Sequence, residues 1–215
     1  MEDLRLMSIN TDKVRSIIGD IAGVIVEQKQ YLSDLDQAIG DGDHGFNMAR
    51  GFEAAMAKLQ ETPGNDIGEV LKTVAMALIS NVGGASGPLY GSLFLKASGA
   101  AKGLAEIDLA GFVPVFKEGI LAVQARGKAE LGEKTMIDVL IPVLDSLEKD
   151  SAAGVSGREA FANAEKVAAD CRDKTKDIIA KKGRASYLGE RSIGHIDPGA
   201  TSSALMIATI SKALG

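Results

Sequence analysis

An all-α domain is the fold class this sequence predicts, and three observations predict it. Apolar residues recur at three- and four-residue spacing along most of the chain. Capping residues and Gly or Pro breaks interrupt that spacing about once per helix length. No two alternating apolar–polar segments flank a tight turn, so no strand pair is expected.

The elements follow in order. Val14, Ile17, Ile18, Ile21 and Ile25 form one stripe behind Thr11, which predicts a helix over about 11–30 capped by Thr11. Leu32 to Ile39 reads as a short helical stretch, and Phe46 to Leu59 as the next helix after a break. Thr62-Pro63-Gly64-Asn65 is a turn. Asp66 with Glu69 then forms a capping-box-like start for a helix through about Ser80. Gly83-Gly84-Ala85-Ser86-Gly87-Pro88 interrupts, and Pro88 suits the first turn of a helix to about Lys102. Asp108 caps a helix ending near Arg126-Gly127. Lys134 to Leu147 follows, with a kink expected at Pro142. Ser156 and Glu159 make a second capping box, opening a long helix toward Lys181, and Pro198 opens a last helix through Ala213. About eight helices on short linkers are the pattern of antiparallel neighbours, and no linker divides the single domain expected over 1–215.

Composition narrows the function classes. Hydrophobic residues make up 46% and charged residues 25% of 215, Trp is absent and aromatics are 4%, which favours closely packed helices over an aromatic-rich sheet. A net charge of −5 argues against nonspecific nucleic-acid binding, so a polyanionic ligand needs metal ions or local basic residues. Cys171 is the only cysteine, which excludes an internal disulfide and a cysteine zinc cluster. No apolar run approaches the ~18 residues of a membrane span. Met1-Glu2-Asp3-Leu4-Arg5 lacks a signal-peptide pattern, and a cytoplasmic protein with no membrane partner is expected.

Gly40-Asp41-Gly42-Asp43-His44-Gly45, with Asp36 one turn upstream, carries the most chemistry. Three carboxylates fall within eight positions, and the intervening glycines let their oxygens fold onto one point. Converging carboxylates repel one another unless a cation sits among them. Oxygen ligands without thiolates favour Mg²⁺ or Ca²⁺ over zinc. A solvated acidic turn is the alternative, since Asp and Gly are common turn residues. A calcium EF-hand fails by register. Counting from Asp41 puts Gly45 at the fifth position and Phe52 where a bidentate Glu is required, and counting from Asp36 puts Ala38 at the third. Mg²⁺ is the better match, because it takes one or two carboxylates and completes its shell with water and phosphate.

Three glycine-rich breaks, 40–45, 83–87 and 183–199, each precede a helix, where unsatisfied N–H groups suit phosphate. For 83–87 a plain interhelical turn is the alternative. The segment Gly183-Arg184-Ala185-Ser186-Tyr187-Leu188-Gly189-Glu190-Arg191-Ser192 sets two arginines beside glycines, a chemistry suited to phosphate oxygens, with surface pairing of Arg184 to Glu190 as the alternative. His44 abuts the acidic loop, so a phosphate contact or a proton role is expected, with nearby carboxylates favouring its charged form. His195 reads as a loop histidine bonded to backbone, and Asp197-Pro198-Gly199 as an N-cap. No P-loop pattern is present.

Taken together these loops resemble the nucleotide-binding L-subunit family of dihydroxyacetone kinase. The matching stretches are Ala38 to Met48, Gly83 to Gly91, Arg126 to Ala129, Lys134 to Met136 and Gly183 to Thr201. The resemblance implies an all-helical barrel of eight antiparallel helices with the nucleotide at one end. It implies Mg²⁺ ligation by Asp36, Asp41 and Asp43. It implies nucleotide contacts by His44, Gly45, Asn47, Ala85, Ser86, Gly127, Met136, Arg184, Asp197 and Gly199, with Arg184 and His44 in the catalytic roles. ADP or ATP on two Mg²⁺ ions is the implied cofactor set. The implied partners are a K subunit that holds dihydroxyacetone through a histidine and a phosphohistidine phosphocarrier, the M subunit, with a transcriptional regulator as a further candidate. Related fatty-acid-kinase domains carry Thr where His44 stands, which favours the dihydroxyacetone branch. An L subunit serving another small ketose, and a nucleotide-holding regulatory module, are the competing readings.

Overall fold

Nine α-helices are present among residues 8–215, the part of the chain that the computed structural model describes. The Met1-to-Arg5 stretch lies outside the described residues. The helices are α1 (Thr11–Glu27), α2 (Lys29–Ile39), α3 (His44–Glu61), α4 (Ile67–Asn81), α5 (Ser86–Ala100), α6 (Leu109–Gly127), α7 (Ile137–Ala152), α8 (Gly157–Lys174) and α9 (Pro198–Leu214). Two 3₁₀ segments, Thr175–Asp177 and Arg184–Ser192, lie between α8 and α9.

Four expectations are corrected. Asn10, not Thr11, caps α1, accepting the Lys13 N–H at 2.9 Å. The Thr11 hydroxyl is instead spent on the Ala105 carbonyl, 3.1 Å away. A strand pair does exist: β1 (Ile9–Asn10) runs antiparallel to β2 (Glu106–Ile107), two residues each and too short for alternation to register. The helix expected to reach Lys181 stops at Lys174, where the buried Thr175 turns its hydroxyl back to Arg172 O at 2.6 Å and a 3₁₀ turn follows. The stretch placed in a helix from Lys134 is a loop as far as Met136, and α7 then runs unbroken through Pro142.

Eight of the nine helices close a ring. Contacts run α1–α3–α4–α5–α6–α7–α8–α9 and back to α1, while α2 lies outside against α3 and the start of α9. The eight-helix barrel is therefore present, with one more helix than the wall uses. Short links make neighbours antiparallel, so α3, α5, α7 and α9 start at one end of the barrel and α4, α6 and α8 start at the other. Small residues permit the close approach of neighbouring helices. A Cβ on Gly68 of α4 would sit 2.7 Å from Ser98 O of α5, and one on Gly119 of α6 would sit 2.9 Å from Leu93 O. Fully buried Phe52, Leu78, Ile120, Ile137 and Leu147 fill the core, and Phe52 meets Phe94 edge-on at 6.3 Å. A nearly apolar, partly open cavity of about 150 Å³ remains, lined by residues such as Ile17, Phe94, Phe112 and Ile207. No helix among the described residues is long and apolar enough to cross a membrane.

Candidate functional site

A cleft of about 760 Å³ opens at the end where α3, α5, α7 and α9 begin. That volume suits a ligand of nucleotide size. Four loops wall it: 40–43, 82–85, 128–136 and 175–197.

The acidic loop is built around α2. Asp36 lies on the last turn of α2, and its Oδ2 accepts the N–H groups of Asp43 at 3.0 Å and His44 at 3.2 Å. Ser33, one turn earlier, accepts from Gly45 at 3.1 Å and Phe46 at 3.3 Å. The two side chains satisfy the first donors of α3, which has no cap of its own. Gly42 makes the reversal at φ +78°, where an L side chain is strained. One oxygen each from Asp36, Asp41 and Asp43 then lies within 4.8 Å of the others. The three provide only oxygen donors, close enough to share cations, and they fit Mg²⁺. Burial pushes the Asp36 carboxyl above its ordinary value, the two backbone donors oppose this, and the neighbouring Asp41 and Asp43 add to it.

Arg184 answers that charge. Its Nη2 lies 2.8 Å from Asp41 Oδ2, not on Glu190. A guanidinium thus already occupies the edge of the carboxylate cluster. Lys181 and Lys182 precede it on the same wall, and Lys182 pairs loosely with Glu133 at 3.5 Å.

His44 is buried, and both ring nitrogens are engaged: Nδ1 with Ser86 Oγ and Nε2 with Ser202 Oγ, each at 2.9 Å. Burial lowers its pKa to about 4, so the imidazole is neutral near pH 7. The charged form expected from the neighbouring carboxylates is outweighed by desolvation. The hydroxyl chain continues from Ser202 to Tyr90 at 2.7 Å and from Tyr90 to Ser203 at 2.8 Å. This chain ties α3, α5 and α9 together beneath the cleft. Ser86 begins α5, whose start no side chain caps, and no hydrogen bond among the described residues engages the N–H of Ala85, Ser86 or Gly87. Pro88 has no N–H to offer. The α5 start is therefore a set of free donors facing the cleft.

The opposite wall is pinned by buried polar groups. Asp138 accepts from Gly132 N at 2.5 Å and Thr135 N at 2.7 Å, which shapes the loop ahead of α7. Asp197 caps α9 through Ala200 N at 2.7 Å. Its carboxyl is pushed up to about 7, chiefly by burial, with the Ala200 N–H and Lys134 pulling the other way. Lys134 is buried, and burial lowers its pKa against the pull of Asp197, Asp177 and Asp138.

Of the thirteen residues expected to hold metal or nucleotide, all line this cleft except Gly45 and Asn47, and Arg191, the second arginine of the 183–192 segment, does not line it either. Gly45 is a packing position, where a Cβ would run into the Lys29 carbonyl and Leu32. Asn47 accepts from Arg50 at 2.6 Å and lies beside Gly83, propping the loop from behind. The sequence reading missed Lys181 and Lys182, though three basic residues within 181–184 of an acidic chain were a usable signal. It gave no role to Tyr90, Ser202 or Lys134, whose partners are distant in sequence, nor to Asp138, whose partners Gly132 and Thr135 are local.

The sequence profile of the DAK2 domain matches residues 38–212. The chain is 46% identical over 200 residues to the "PEP-dependent dihydroxyacetone kinase 1, ADP-binding subunit DhaL" of Listeria innocua, covering 93% of this chain and 95% of that one. It is 42% identical over 207 residues to the "PEP-dependent dihydroxyacetone kinase, ADP-binding subunit DhaL" of Escherichia coli K12, covering 96% and 99%. The crystal structure of the native dihydroxyacetone kinase of C. freundii is similar at a TM-score of 0.73 and 25% identity, over 93% of this chain and 34% of that longer one.

Proposed function

The chain belongs to the DAK2 domain family, and on that premise we propose that it is the ADP-holding subunit of a phosphoenolpyruvate-dependent dihydroxyacetone kinase. It is a phosphotransferase subunit. End-to-end similarity to ADP-binding subunits of such kinases supports the assignment. The observation that carries the site is the convergence of Asp36, Asp41, Asp43 and Arg184 on one edge of a nucleotide-sized cleft.

In this reading Asp36, Asp41 and Asp43 hold two Mg²⁺ ions against the phosphates. Bound Mg²⁺ supplies neutralisation of phosphate oxygens during transfer. The free N–H groups of α5 and the Ser86 hydroxyl bind phosphate oxygens, and neutral His44 fixes Ser86 in place. Arg184 exchanges Asp41 for the transferring phosphoryl group, which its two parallel donors suit. Gly127 and Met136 line the remainder of the nucleotide path, and Asp197 and Gly199 form its far wall. Gly45 and Asn47 act from behind, by packing. No side chain of the cleft needs to act as a nucleophile. The phosphoryl group passes from a phosphohistidine phosphocarrier, the M subunit, through bound ADP to dihydroxyacetone held on a separate K subunit. A transcriptional regulator that reads the nucleotide state is a further candidate partner.

The test combines this chain with K subunit and dihydroxyacetone, supplying either ATP alone or phosphoenolpyruvate with the phosphocarriers. Sustained dihydroxyacetone phosphate formation only with the second donor is expected. Equal turnover on ATP alone would overturn the donor assignment, and no product with either would overturn the kinase assignment.

A further inference from the structure

We propose that Lys134 is a positioning residue for nucleotide binding: its buried ammonium fastens the wall that carries Arg184, Asp197 and Gly199 to the wall that carries Gly127 and Met136. Lys134 is 1% exposed and makes no ion pair among the described residues. Its Nζ donates to Thr175 O at 2.6 Å, Ile178 O at 3.3 Å and His195 O. An ammonium has three donors, and here all three meet carbonyls of the segment that joins α8 to α9. Lys134 itself belongs to the loop between α6 and α7, so each bond crosses from one wall of the cleft to the other. The backbone pays for this reach: Lys134 sits at φ +62°, a left-handed conformation that a non-glycine residue holds only where its surroundings over-determine it.

The fastening is relayed to the nucleotide-facing residues. Thr175, whose carbonyl Lys134 holds, accepts the Asp197 N–H on its hydroxyl at 3.0 Å. Asp197 in turn caps α9. A Cβ on Gly199 would sit 3.6 Å from Met136, so the two walls are in contact there. Lys181 N also donates to Glu133 O at 3.1 Å, next to Lys134, three residues before Arg184. Lys134 therefore acts through these loops rather than on the ligand. A planar guanidinium cannot direct three donors at three convergent carbonyls, and an apolar side chain would leave those carbonyls buried and unpaired.

This inference rests on the nucleotide reading above. Calorimetric ADP–Mg²⁺ affinity is measured for the wild type, Lys134→Met, Asp41→Ala and the core control Val74→Ala, each at a temperature where circular dichroism shows it folded. Lys134→Met is expected to weaken ADP binding at least ~10-fold, while Val74→Ala stays within ~2-fold despite a lowered melting temperature. That contrast separates positioning from a general loss of stability. Wild-type affinity in folded Lys134→Met overturns the proposal. If Lys134→Met does not fold, Thr175→Val decides, since it removes the hydroxyl link to Asp197 and keeps the shape of the side chain. Weaker ADP binding with faster exchange of the Asp197 amide supports the proposal, and unchanged affinity overturns it. A wild type that does not bind ADP, or an Asp41→Ala that binds it normally, would sink the nucleotide reading instead.

Discussion

At the end of the barrel away from the cleft, α1, α4, α6 and α8 start behind Asn10, Asp66, Asp108 and Ser156, and each of these side chains accepts an N–H three residues ahead, at 2.9, 2.8, 2.8 and 3.3 Å. At the cleft end only α9 follows that rule, through Asp197. The first donors of α3 go to Asp36 and Ser33 of α2, the Ile137 N–H of α7 goes to Thr135, and the α5 start is open. Local capping at the end away from the cleft stabilises helices, and Asp66 additionally accepts the Gly103 N–H at 3.0 Å. At the other end the first donors of α5 and the three clustered carboxylates are left for the proposed ligand. On the proposed nucleotide reading, stability and binding are assigned to opposite ends of one barrel.

The largest expected effect tests the cleft end. Asp41→Ala and Asp43→Ala should each weaken ADP–Mg²⁺ binding at least ~100-fold, about 2.7 kcal/mol, with the ligand-free melting temperature nearly unchanged. Calorimetry and thermal melts on the same preparations check both halves. A large loss of ligand-free stability would mean that these carboxylates also hold the fold, and the division between the ends would fail.

Next comes pH. The folded His44 pKa lies near 4 against an ordinary 6.5, so the unfolded chain takes up the proton first and stability falls as pH drops from 6.5 toward 4. Asp197 is raised to about 7 from 3.8, so its proton is held in the folded chain and its contribution is lost as pH rises through 7. The two slopes oppose each other between about pH 4 and 6.5. Urea melts of ligand-free His44→Gln should lose stability as pH rises through that window, and those of Asp197→Asn should gain it, by on the order of 2 kcal/mol. The same slope in both variants would contradict the opposition.

Arg184→Lys comes third. It should slow single-turnover phosphoryl transfer about 10-fold, near 1.4 kcal/mol of barrier, and change ADP affinity much less. A loss of affinity alone would move Arg184 from the transferring group to nucleotide binding. The smallest effect belongs to the far end. Asp66→Ala should cost about 1 kcal/mol in denaturant melts and leave ADP affinity within ~2-fold. A change in affinity there would show that the ends communicate.

The same contrast explains what was legible in the sequence. Asp66, Asp108 and Ser156 were readable as caps because a local cap and its target lie three residues apart. Asn10 was missed only because Thr11, another cap-forming residue, stands beside it. The acidic loop was readable because its carboxylates are close in sequence. The pairing of Arg184 with Asp41, the burial of His44 between Ser86 and Ser202, and the three carbonyls on Lys134 join segments tens of residues apart. No periodicity encodes such contacts. The eight-helix barrel came from the resemblance rather than from helical spacing, which gives helices but not their closure.

That closure bears on how the chain folds. Most wall contacts join helices next to each other in sequence, as in a solenoid that grows or frays from its ends. The seam between α1 and α9 is different, since it joins the first and last helices of the described chain. Loop-closure entropy must be met before that seam is rewarded, and a wall without it exposes two apolar flanks. A ring has no terminal unit to lose, so partial structures gain little, which favours an all-or-none transition. On the proposed nucleotide reading, a ligand held at the cleft, where α9 begins, would also favour the docking of α9 on α1 along that seam.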